Sequence, residues 1–94
     1  MNIAKIYDNY EKAHIAFEQF IEMNGCYVEK VSMHGMRVEM VNGTVLYFLE
    51  IHPDSYHKIA GYQFSFVDLD INSRFTEGTL NFIKSRIRDR SMFK

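Results

Sequence analysis

The sequence has little of what several specialised protein classes depend on: one proline, one cysteine, five glycines and no tryptophan among 94 residues. A lone cysteine, Cys26, excludes an internal disulfide framework. It has no nucleophile signature around it and reads as a small apolar residue. With so few proline and glycine residues there is no linker, low-complexity stretch or repeat, and the chain reads as one domain, residues 1–94. The longest apolar run, Val45 to Leu49, is far too short to cross a bilayer and is cut by Glu50. No positively charged leader with an apolar segment opens the chain, so a cytoplasmic location is expected, with no membrane role.

What is present is apolar and aromatic. Hydrophobic residues make up 47% of the chain, with eight Phe and six Tyr, enough apolar surface to offset chain entropy and exclude disorder. A domain this short buries only about 60–65% of its unfolded surface. Function is therefore expected on a face, a cleft edge or a subunit interface. The net charge of -1 hides an asymmetry: residues 1–70 carry five Lys/Arg against ten Asp/Glu, and residues 71–94 carry six against two. The basic end suits nucleic acid or an acidic partner, but cations in the last turns of a helix also complement its dipole.

The periodicity predicts alternating strands and helices. Asn2 to Ile6 reads as a strand, and Asp8 with Glu11 as an approximate capping box opening a helix through Ala13, Phe17 and Ile21. Asn24-Gly25 is expected to stop it, with glycine in the left-handed C′ geometry. Cys26 to Ser32 is a weaker strand candidate. A strand from Met36 to Met40 reaches the hairpin signal Asn42-Gly43, and Thr44 to Ile51, apolar on both faces, reads as an interior strand. After His52-Pro53, Asp54 or Ser55 can cap a short turn through Tyr56, Ile59 and Ala60 that ends at Gly61. Tyr62, Phe64 and Phe66 alternate into Val67-Asp68-Leu69-Asp70, the best candidate for a central strand ending in carboxylates. Thr76 is placed as N-cap of a last helix, with Phe75 and Leu80 as a hydrophobic staple and Leu80, Ile83 and Ile87 as the inner stripe. The expected fold is α/β: a mixed β-sheet with an N-terminal and a C-terminal helix, in a three-layer unit.

The stretch from Gly61 through Val67-Asp-Leu-Asp-Ile-Asn-Ser-Arg-Phe-Thr-Glu77 to Phe82-Ile-Lys-Ser-Arg-Ile-Arg88 resembles the region around the Walker B strand in large terminase subunits, the DNA-packaging ATPases of tailed phages. Arg37 to Phe48 resembles that family's hairpin, residues 52–61 its loop before the glycine, and the opening strand and helix the unit after its P-loop helix. The resemblance implies a partial P-loop-ATPase core with Asp70 at the Walker B aspartate. Two departures stand out. Ile71 occupies the position of the catalytic glutamate, and isoleucine cannot polarise an attacking water. No Gly-x-x-x-x-Gly-Lys-Ser/Thr is present, so the phosphate cradle and its lysine are missing.

The expectation is therefore a non-enzymatic, phage-encoded, terminase-like protein with no cofactor, acting in the host cytoplasm as a protein-interaction or regulatory, inhibitory module. One alternative is a split half of a packaging ATPase that supplies Asp70 and an arginine in trans; another is a nucleic-acid-binding accessory protein. Asp68 and Asp70, two residues apart on one strand face, are weak metal candidates whose plainer role is to cap the next loop or pair with Arg74. Lys84, Arg86, Arg88 and Arg90 are candidates for partner or nucleic-acid contact, although 86 and 90 share one helical face and 84 and 88 another. His52 and His57, five residues apart, form no zinc pattern, and His14 and His34 are isolated. The six methionines read as core filler or an adaptable partner surface. A homo-oligomer is expected, because a sheet lacking a first strand and helix leaves an edge to cover.

Overall fold

The computed structural model describes residues 1–54, 56 and 64–85. The chain forms β1 (Asn2–Tyr7), α1 (Tyr10–Asn24), β2 (Val28–Ser32), β3 (Arg37–Met40), β4 (Val45–Glu50), β5 (Phe66–Leu69) and α2 (Glu77–Lys84). These build a mixed five-stranded sheet in the order β2-β3-β4-β1-β5, with β1 parallel to both β4 and β5 and the β2-β3-β4 meander antiparallel.

Alternation along the strands sends side chains to two faces. Ile3 and Tyr7 of β1, Val38 of β3 and Leu46 and Phe48 of β4 pack against Ala13 and Phe17 of α1. Ala4 and Ile6 of β1, with Ile51 and Val67, pack on the other side against Ile83 of α2. The two helices thus cover opposite faces of one sheet. Phe17 meets Phe48 edge-on, ring centroids 5.7 Å apart, at the centre of the first layer. β4 is interior and buries residues toward both layers, as its unbroken apolar run requires.

Several local expectations are corrected. The N-cap of α1 is Asn9, whose side chain accepts the Lys12 amide at 2.9 Å; Asp8 turns elsewhere. Gly25 does not end α1 in the left-handed region: it has φ -52 and opens a 3-10 turn, Gly25–Tyr27, that runs into β2. β3 begins one residue later than its pattern suggests, because Met36 has φ 49 and turns the chain out of the ladder. β5 is an edge strand of the described sheet, paired with β1 alone, not a central one. The turn at Asn42-Gly43 and the Thr76 cap form as expected: Gly43 has φ 91, and Thr76 Oγ1 accepts the Thr79 amide at 3.1 Å. In α2 the buried residues are Thr79 and Ile83, with Leu80 only partly buried. Ile59, Ala60, Gly61 and Ile87 lie outside the described residues.

Candidate functional site at the carboxyl edge of the sheet

β1 leads into α1 on one face of the sheet, and its parallel neighbour β5 leads toward α2 on the other. Connections that part in this way open a crevice at the carboxyl ends of the strands, where open α/β sheets place ligands. Here the crevice is closed by a polar latch. The Ser73 hydroxyl accepts the Asp8 amide at 3.0 Å. Its single proton goes to Asp70 Oδ2 at 2.7 Å, the nearer of two carboxylates; Asp8 Oδ1 stands at 3.3 Å. Asp8 Oδ2 accepts the Arg74 amide at 3.0 Å, and its Oδ1 lies 2.9 Å from Lys12 Nζ, which also donates to the Asn72 carbonyl at 3.0 Å. The latch thus ties the start of α1 to the loop after β5, across more than sixty residues of chain.

Electrostatics follow from these contacts. The Asp8 carboxyl is held below its ordinary range, first by the Arg74 backbone N–H and then by the hydrogen bond from Lys12. Tyr7, beside the latch, is pushed up to about 12 by burial and then by the charges of Asp70 and Asp68. It stays a neutral hydroxyl across the physiological range.

The two carboxylates singled out from the sequence take separate partners. Asp68 pairs across the ladder with Lys5 at 3.0 Å, and Asp70 takes the Ser73 proton; neither meets the Arg74 side chain in a described contact. Among the described residues no three His, Cys, Asp or Glu side chains converge as a metal site. Lys84 ends α2, while Arg86, Arg88 and Arg90 lie outside the described residues, as does His57. His52 lies 3.5 Å from Glu50, and His14 3.4 Å from Glu18. His34 lines a cavity of about 580 Å³ with Tyr10, Arg37 and Glu50, farther along the same edge. Cys26 is exposed.

Asp8, Lys12, Ser73 and Tyr7 escaped the sequence reading as a group because their proximity depends on β1 and β5 being neighbours. The available signal was local: Ser73, three residues after Asp70 at the end of the strand, turns its hydroxyl back to that carboxylate while its amide bonds to the Asp70 carbonyl. Ile71 projects from that loop with 94% of its surface exposed. Among the described residues no helix is long and apolar enough to span a membrane. No family model, curated protein or solved structure matches this chain.

Proposed function

We propose that this chain is a non-catalytic protein-interaction module, a terminase-like scaffold that regulates or inhibits a partner by docking on it. The observation that carries the reading is Ile71, 94% exposed beside a latch in which Arg74 and Lys12 engage Asp8 and Ser73 engages one oxygen of Asp70. In the terminase resemblance this is where the catalytic glutamate would stand. A branched aliphatic side chain held in water has no chemical task there, but it gains free energy when a partner covers it. The reading places the protein in the cytoplasm of a phage-infected cell. It also includes self-association, since β2 and β5 are the edges of the described sheet.

Affinity capture from the source cell with the intact chain and with Ile71→Glu tests this reading. The expected result is one stoichiometric partner, lost at least tenfold with Ile71→Glu while circular dichroism is unchanged. Equal recovery with both baits, or none with either, overturns it.

A further inference from the structure

Among the described residues α1 packs over β4 and β1 and not over the same face of β5. Register places Phe66 beside Ile3 and Asp68 beside Lys5 on that face. The result is a trough along the flank of α1. Two cavities of about 270 and 290 Å³ lie side by side in this trough and share Tyr7, Ala16 and Gln19. The trough runs from Asp70 and Asn72 at one end to Met23 and Asn24 at the other. Between Lys12 and Asn24 the flanking helix rises about 18 Å, the length of about three helical turns.

The walls carry apolar side chains in water: Ile15 is 46% exposed and Met23 81%, with Ile71 projecting from the loop at the Asp70 end. The α1 lip is acidic, and on the β5 side Asp70 adds a carboxylate at one end. At 3.6 residues per turn Glu11, Glu18 and Glu22 form the next stripe on α1 beyond Ile15 and Gln19. Asp68 and Asp70 belong to β5 and its exit. The cations on this face are neutralised locally, Lys5 by Asp68 and Lys12 by Asp8. Ser73 engages only Oδ2 of Asp70, and among the described residues no lysine or arginine pairs with this carboxylate. A half-buried carboxylate in an apolar trough is complementary to a partner's cation.

We infer that the trough between α1 and β5 is the docking groove of the interaction module, and that it takes an amphipathic helix with one apolar stripe and lysine or arginine along its flank. A helix laid beside α1 covers Ile15 and Met23 with its apolar stripe and brings a basic side chain to Asp70. The inference rests on the protein-interaction reading and names the partner's chemistry.

Amide NMR titration of the full chain tests it with two 18-residue helical peptides that share a leucine stripe, one with arginine flanks and one with glutamate flanks. The arginine peptide is expected to shift Tyr7, Ile15, Gln19, Met23 and Asp70, and to bind at least tenfold tighter than the glutamate peptide. Met23→Ser removes an exposed apolar side chain from the wall and weakens both peptides, and Asp70→Asn weakens the arginine peptide about tenfold, the loss of one charge-assisted contact. If Asp70→Asn disturbs the latch, Glu11→Gln with Glu22→Gln weakens the arginine peptide without touching it. Equal binding of both peptides, shifts confined to β2 or the 580 Å³ cavity, or no shifts overturn the groove. Trough shifts that grow with protein concentration alone assign the site to a second copy and overturn the helix. Absence of peptide binding while the intact chain still captures a partner overturns the groove and leaves the interaction reading standing; capture of no partner by the intact chain, or equal capture by Ile71→Glu, removes the interaction reading itself.

Discussion

Removing the Asp8 carboxylate should loosen the junction between β1, α1 and the loop after β5. The side chain accepts a backbone N–H from Arg74 and pairs with Lys12, and it retains 23% of its surface. A hydrogen bond to a charged group contributes about 1.5–3 kcal/mol when well shielded, and an exposed ion pair about 0–1 kcal/mol. Discounting for the water that reaches the site, Asp8→Ala is expected to cost about 2 kcal/mol, and Asp8→Asn, which keeps an acceptor, about 1 kcal/mol. For a domain of this size 2 kcal/mol lowers Tm by roughly 8–16 °C.

The effect carries a pH signature. The folded-state pKa of Asp8 lies below its ordinary value, so its contribution is complete above that value and is lost as pH falls through the folded pKa. Urea denaturation read by circular dichroism at pH 7 and at successive pH values below 4 measures it, and the gap between wild type and Asp8→Asn should narrow as the solution is acidified. A gap that stays constant down to pH 2, or a cost for Asp8→Ala under about 0.3 kcal/mol at neutral pH, would refute the latch as a source of stability.

Other expectations follow from single residues. Tyr7 is raised to about 12, so the folded state loses stability as pH climbs from 10 toward 12, and Tyr7→Phe should remove that alkaline loss in a thermal melt series. Phe48→Ala opens the layer where Phe17 and Phe20 meet it and should cost about 3–5 kcal/mol, measured by chemical denaturation. Gly43→Ala is strained at φ 91 and should destabilise by about 1 kcal/mol, whereas Gly25→Ala, at φ -52 with nothing near its new Cβ, should be neutral or stabilise by about 0.4–1 kcal/mol. The opposite order would mean that the two turns have exchanged geometry.

The residues differ in how much of the outcome they disclose. Asn42-Gly43 and Thr76 act through neighbours two or three positions away, so their roles are readable locally. The unbroken run of β4 places it inside the sheet by the same logic. Strand order is another matter: Phe64, Phe66 and Val67 are as apolar as an interior strand, yet β5 lies at an edge, because its burial comes from α2 and Ile51 on one face. At the start of α1 the sequence points to Asp8 as the cap. Asn9 took the helix because Asp8 found Arg74 and Ser73, partners sixty-five or more residues away. The carboxylates Asp68 and Asp70 were visible in the sequence, but their partners Lys5 and Ser73 depend on the parallel register of β1 and β5. The trough is the same kind of feature, a gap left where α1 packs over β4 and β1 and not over β5.

With Asp8, Lys12, Ser73 and Asp70 bound to one another and to the nearby backbone at the carboxyl edge, a nucleotide is expected to find no site there. An amide NMR titration with Mg²⁺ and ATP at millimolar concentration tests it most directly. Unchanged positions for Tyr7 to Lys12 and Asp70 to Arg74 are predicted; saturable, magnesium-dependent shifts at those residues would contradict it.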